Sequence, residues 1–120
     1  MAHGVINHIE FPADDPERAM RFYAAVAGWE FSPMDGMPDY WVFRFADGFG
    51  GGIGRRGKTV GQVVRDYIEV DSIEDALAAA EANGGTVKEP KDEVPGFGWF
   101  AVVNDPEGNE VGLFQSAPRG

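Results

Sequence analysis

The sequence predicts an α+β fold built from two βαβββ modules in tandem, and three observations carry that expectation. The segments Asp14–Phe31 and Asp71–Lys88 follow one plan, with Asp14 matching Asp71, Asp15 matching Ser72, Ala19 matching Ala76, Met20 matching Leu77 and Gly28 matching Gly85, each pair 57 residues apart. Both helix-like segments follow a strand-like run of apolar and β-branched residues. Both then lead into three further runs of that kind. Module one covers residues 1–57 and module two residues 58–120 of a single domain.

In the first module Val5–Phe11 reads as a strand. Asp15 is a natural helix N-cap, Pro16 suits the first helical position, and Gly28 supplies the stop. Between them Ala19, Met20, Phe22, Tyr23, Val26 and Ala27 recur at helical spacing. Trp29–Ser32 and Tyr40–Ala46 are the next strands, and Asp47-Gly48 is a hairpin signal before the glycine-heavy strand Phe49–Gly54. Gly57–Gln62 joins the modules, and Arg55, Arg56 and Lys58 read as part of that solvated connector.

The second module repeats the order. Val63–Val70 is a strand, and Ser72 with Asp75 three residues later forms a capping-box pattern. Ile73, Ala76, Leu77 and Ala80 line one helical face, which Gly84-Gly85 ends. Thr86–Glu89, Gly98–Asn104 and Glu110–Gln115 are strands, with Asp105-Pro106-Glu107-Gly108-Asn109 as the last turn. Pro90–Gly96 reads as a connector or a lid.

Composition excludes several functions. There is no cysteine among the 120 residues, so disulfides, thiolate nucleophiles and zinc–sulfur sites are out. A net charge of −10 repels polyanions, and neither nucleic acid nor an anionic membrane is expected as a partner. The longest unbroken apolar run, Phe22–Ala27, is far too short to span a bilayer, and no signal segment opens the chain. A cytoplasmic protein is expected. Gly50-Gly51-Gly52 lacks the following lysine and helix start of a phosphate-binding loop.

The chain resembles the vicinal oxygen chelate superfamily, which contains glyoxalases, bleomycin-resistance proteins and extradiol dioxygenases. The resemblance rests on His8-Ile9-Glu10-Phe11-Pro12, on Asp15-Pro16-Glu17-Arg18 with Arg21-Phe22-Tyr23 and Gly28-Trp29, on Ile68-Glu69-Val70-Asp71, and on Asp105-Pro106-Glu107-Gly108-Asn109. It is nearest to the branch described as related to lactoylglutathione lyase. It implies that the two modules form a curved eight-stranded cup with the site inside. It also implies that metal-dependent members place ligands at the positions of His8, Gly52, Arg65 and Gly112. Only His8 is a competent ligand there, because glycine has no side chain and a guanidinium repels a cation. No standard metal site and no cofactor are therefore expected, and lactoylglutathione lyase activity is disfavoured. A site rebuilt from His8 and carboxylates such as Glu10, Glu69 or Glu110 stays open; the other histidine is His3.

Strand alternation puts Glu10 on the face of His8, and Tyr67, Glu69, Glu110 and Phe114 on matching faces of their strands. His8 can be a general base, a hydrogen-bond partner or a core histidine, and a nearby Glu10 would favour its imidazolium. Arg65 can pair with these acids or clamp a ligand carboxylate. Gly52 and Gly112 suggest hollows left for a ligand. Trp41 and Trp99, 58 residues apart, suggest apolar walls together with Phe114. The expected function is metal-independent binding of an aromatic or carboxylated metabolite. The alternatives are an isomerase or lyase using His8 and Glu10 as acid and base, with Arg65 or Tyr67 stabilising charge, and a metal-dependent enzyme with a rebuilt site. A homodimer is expected, since short sheets leave edges for a partner to cover.

Overall fold

A computed structural model describes residues 3–45 and 49–118. Its elements are β1 (Ile6–Ala13), α1 (Pro16–Ala27), β2 (Ser32–Pro33), β3 (Tyr40–Arg44), β4 (Gly50–Arg55), β5 (Arg65–Glu69), α2 (Ile73–Ala82), β6 (Thr86–Val94), β7 (Gly98–Asn104) and β8 (Glu110–Ser116). The predicted order βαβββ, twice, is the observed one. Two compact units emerge, one of Asn7–Arg65 and one of the chain from Asp66 onward with the N-terminal residues up to Ile6.

Within the first unit β1 pairs in parallel with β4, β4 antiparallel with β3, and β3 antiparallel with β2. Within the second, β5 pairs in parallel with β8, β8 antiparallel with β7, and β7 antiparallel with β6. The strand order is thus the same in both, as the internal repeat requires.

Local chemistry sets the helix ends as expected. Asp15 Oδ1 accepts the Arg18 N–H at 3.1 Å, and Gly28, left-handed at φ 72°, closes α1 by donating to Ala24 O. Ser72 Oγ accepts the Asp75 N–H at 3.1 Å at the start of α2. The last turn is held by one carboxylate: Asp105 Oδ1 accepts the N–H groups of Glu107 and Asn109, both at 2.9 Å. These donors, the Asn109 N–H foremost, hold the Asp105 carboxyl below its usual range.

Three expectations need correction. The strand predicted at Trp29–Ser32 is only Ser32–Pro33, because Trp29 and Phe31 turn into an aromatic cluster rather than a ladder. Pro90–Gly96 is neither lid nor connector for most of its length. β6 runs on to Val94 and turns only at 95–97. Among the described residues it pairs on one side only, so it tolerates Pro90, whose missing N–H coincides with register shifts between Val87 and Asp92. Phe22 and Val26 on α1 are 58% and 68% exposed, so the packed stripe is narrower than the periodicity suggested. The Asp47-Gly48 hairpin signal lies outside the described residues.

The two units are filled differently. In the second, Val70, Ile73, Ala101, Val103 and Leu113 form an aliphatic core, with Ala76, Leu77 and Ala80 of α2 laid over it. In the first, Trp29 stacks on Phe43 at 4.1 Å, Phe11 lies 5.1 Å from Tyr23 of α1, and Phe31 and Phe45 close around Phe43. Both cores occupy the helix-bearing face of their sheet. The other face carries the polar groups.

Candidate functional site

The site is built from the alternation of three strands of the first unit. His8 stands opposite Gly50 and Glu10 opposite Gly52 on β4. On the far side of β4, Arg44 continues the row of Gly50, Val42 that of Gly52 and Tyr40 that of Gly54. Every β4 residue on this face is therefore glycine, while Ile53, facing the other way, is fully buried.

This glycine track is what lets Tyr40 reach β1. A Cβ on Gly52 would fall on the Tyr40 ring and hydroxyl, and one on Gly54 would lie 3.3 Å from Tyr40 Cδ2. The Tyr40 side chain, 4% exposed, crosses β4 along that track. Its hydroxyl lies 2.8 Å from His8 Nε2 and donates to Glu10 Oε2 at 3.1 Å. Beyond it, Arg65 Nη1 lies 3.6 Å from Glu10 Oε1, with both side chains largely buried. His8, Tyr40, Glu10 and Arg65 thus form one polar string.

His8 is half-buried and its pKa is pushed down to about 4, first by burial and then by the charge of Arg44. The imidazole is neutral at pH 7. This corrects the expectation that Glu10 would favour the imidazolium. The Tyr40 hydroxyl meets both the ring and the carboxylate, and the Arg65 guanidinium faces that carboxylate as well. Burial and Arg44 win.

The second unit repeats the tyrosine-over-glycine packing. Tyr67 is the register partner of Gly112, and a Cβ on Gly112 would meet the Tyr67 ring. The hollows expected at Gly52 and Gly112 are therefore filled, each by a tyrosine ring. On the same face, the Glu69 carboxylate accepts from Ser116 N at 3.1 Å and from Ser116 Oγ at 2.9–3.0 Å. Phe114 is the register partner of Glu69 and shares that face.

Two predicted walls lie elsewhere. Trp99 packs with Ala101 and Val103 against the α2 core, and Lys91 Nζ sits 5.0 Å over its ring. Trp41 alternates with Tyr40 and so shares the face of Phe43; both Tyr40 and Trp41 border a cleft of about 440 Å³ walled by residues of Pro33–Trp41. Both tryptophans belong to the helix-bearing faces. Arg56, read as a solvated connector residue, is held by Asp14 at 2.9 Å and Gln62 O at 2.7 Å.

Tyr40 is the site residue that sequence reasoning missed. The readable signal was alternating glycine at 50, 52 and 54, with a tyrosine opening the strand that pairs with it.

The positions where the family resemblance led to the expectation of metal ligands are occupied by other groups. At Gly52 a tyrosine ring fills the space, at Gly112 another does, and Arg65 brings a cation. Among the described residues no group of three or more His, Asp or Glu side chains is placed to hold one. His3 Nδ1 instead accepts the Asp71 N–H at 3.0 Å.

Comparison with known proteins agrees with this architecture. A glyoxalase-like domain model matches residues 8–114. The glyoxylase-named protein CFP32 of Mycobacterium tuberculosis is 32% identical over 113 residues, which is 92% of this chain but 43% of that protein. The chain thus spans less than half the length of that relative. A glyoxylase-like domain-containing protein of Didymella fabae is 34% identical over 117 residues, covering 89% of this chain and 90% of its own length. Among solved structures, protein BH1468 of Bacillus halodurans C-125 superimposes with a TM-score of 0.74 at 11% identity, covering 99% of both chains. A glyoxalase/bleomycin resistance protein/dioxygenase superfamily member of Vibrio splendidus 12B01 gives 0.65 at 16% identity, covering 91% of this chain and 96% of its own. Methylmalonyl-CoA epimerase of Streptomyces coelicolor gives 0.66 at 15% identity, covering 98% and 100%. At these identities the structural likeness speaks for the fold. No helix among the described residues is long and apolar enough to cross a membrane.

Proposed function

We propose, from the premise that this chain belongs to the glyoxalase-like domain family of the vicinal oxygen chelate superfamily, that it binds a small carboxylated carbonyl compound and moves a proton on it, as an isomerase or lyase does. The observation that carries this reading is the string His8–Tyr40–Glu10–Arg65, a neutral imidazole held through a phenol against a charge-matched carboxylate. Groups arranged in this way move protons without a metal.

His8 takes the proton from the carbon next to the carbonyl, the C–H electron pair becomes the C=C of the enolate, and the imidazolium gives the proton to the enolate oxygen, which yields the enol isomer. With a pKa of about 4 the imidazole is a weak base. Arg44, exposed and in the same cross-strand row as His8, is one of the two causes. A substrate carboxylate beside Arg44 cancels that charge and raises the basicity of His8 where it is needed. Arg65, engaged with Glu10, is not assigned this task.

The test is carbon-bound proton exchange. The protein is incubated in D₂O with a panel of 2-oxo and 3-oxo carboxylic acids, and solvent deuterium in the compounds is followed by NMR. Exchange with at least one member, lost in His8→Ala and weakened through KM in Arg44→Ala, is expected. Binding seen as a raised melting temperature, with no exchange in any member, would sink the catalytic reading.

That outcome would leave the second reading, sequestration of an aromatic or carboxylated metabolite. It is motivated by the Glu10–Arg65 ion pair, a largely buried polar group next to Tyr40 and His8. In either case we take the protein to act in the cytoplasm, and to do so as a homodimer on the motive that, among the described residues, β2 and β6 pair on one side only. Light scattering at a monomer mass would refute the dimer. A rebuilt metal site is tested by metal analysis of untagged protein: one transition metal per chain, lost in His8→Ala, would establish it.

A further inference from the structure

The two helices follow one backbone plan, yet only one of them hides its large apolar side chains. α2 lays Ala76, Leu77 and Ala80 on its core and turns Glu74, Asp75 and Glu81 outward. α1 leaves Phe22 58% and Val26 68% exposed, one turn apart on the same side of the helix. Phe22 meets the aromatic cluster only through Tyr23, edge to face at 5.1 Å. We infer that this side of α1 is where a second copy of the chain docks, the two helices antiparallel about a two-fold axis. That surface rests on the homodimer proposed above and places it on the helix rather than on the sheet edges.

Charge identifies the occupant. Arg18, Phe22, Val26 and Glu30 follow one another at intervals of four, and all are exposed. The first three share one row of α1, and Glu30 comes just after its cap at Gly28. The order is cation, two apolar residues, anion. Turned end for end, this row fits itself: Phe22 lies beside Val26 of the second copy, and Arg18 beside Glu30 of the second copy. A parallel pair would instead set like charges together. Neither Arg18 nor Glu30 has an ion-pair partner of its own among the described residues.

The helix end points the same way. The last turn of α1 holds no basic residue, so the negative end of its dipole meets no cation from its own turn. In the antiparallel pair Arg18 of the second copy comes to that end. At a net charge of −10 two copies repel one another, and a face that sets cation against anion relieves that repulsion. The same contacts occur twice about the axis, as a closed two-fold pair requires. Two large apolar side chains per copy make a patch well below the roughly 800 Å² per partner of a standard interface. Pairs therefore form at high protein concentration, and dilute protein is monomeric with α1 uncovered.

The test is the mass of the full chain by sedimentation and light scattering, from about 10 µM to about 1 mM. A mass that rises toward the dimer with concentration is expected. Phe22→Glu should weaken association at least about tenfold. Arg18→Glu and Glu30→Arg should each weaken it about tenfold, because each like-charge contact occurs twice. The double variant Arg18→Glu/Glu30→Arg restores opposite charges across the axis and should associate as the wild type does. That rescue is one that a fold defect or a change of net charge would not produce. A dimer indifferent to Phe22→Glu would keep the homodimer and overturn α1 as its surface, returning the interface to the sheet edges. Weakening by both single charge variants without rescue in the double variant would overturn the antiparallel pairing. A monomer at every concentration would refute the homodimer and this surface together.

Discussion

The two units share a topology and a tyrosine laid over a glycine, yet the tyrosines do different work. Tyr67 covers Gly112 from the neighbouring strand, as its direct register partner. Tyr40 starts two strands away from β1 and crosses all of β4 to reach His8 and Glu10. Tyr67 packs on its partner across one strand pair. Tyr40 connects charged and titratable groups that no adjacent pairing would join. The cores differ in the same sense, aliphatic under α2 and aromatic under α1. A repeated backbone plan is therefore kept while the groups its tyrosines pack against differ.

The largest expected effects strike the two cores. Phe43→Ala removes the ring on which Trp29 stacks and should cost about 3–5 kcal/mol; Ile73→Ala, at the centre of the aliphatic core, should cost about 2–5 kcal/mol. Urea denaturation compares them, and a cost below about 1 kcal/mol for either would mean that the core assigned to that unit is wrong.

Next comes pH. The pKa of His8 is about 4 in the folded protein against an ordinary 6.5, so between these values the unfolded chain binds the proton first. Stability should be full above pH 6.5, fall as pH drops through this window, and lose at most about 3 kcal/mol from this group. His8→Gln should flatten that part of the profile, measured as urea midpoints near the two ends of the window. An unchanged profile in the variant would show that His8 titrates normally.

The glycine pairs should respond more modestly. Gly52→Ala and Gly112→Ala each force a Cβ into a tyrosine ring and should cost about 1–3 kcal/mol. The comparison sharpens in the NMR signals of His8. Gly52→Ala should disturb them by displacing Tyr40, and Gly112→Ala should leave them in place.

The smallest effect is on the exposed side of α1. Val26→Ala, at a 68% exposed position, should change stability by no more than about 0.5 kcal/mol, whereas Leu77→Ala, packed on the aliphatic core, should cost more than about 1 kcal/mol. Equal costs would mean that α1 is covered in solution.

Much of the fold and part of the site could be read in the chain itself. Asp15, Ser72, Gly28 and the turn at Asp105 announce element ends because each acts on backbone groups within four residues of itself. Alternation along one strand correctly set Glu10 beside His8, and Tyr67 on the face of Glu69. The same rule, applied to β3 and β7, would have placed Trp41 with Phe43 and Trp99 with Ala101. Reading them as walls let the matching position in the repeat outweigh the alternation. The supposed hollows failed for a different reason. A missing side chain shows that something comes close, and only the neighbouring strands say what.

By itself, then, the sequence determined the repeated βαβββ plan, the helix caps and the faces of individual strands, because these follow from interactions local along the chain. The tertiary structure alone decided that Tyr40 crosses the glycine track, that Arg65 faces Glu10 and that burial keeps His8 neutral. Those outcomes depend on which strands pair and in what register, and on how much water is excluded once they do.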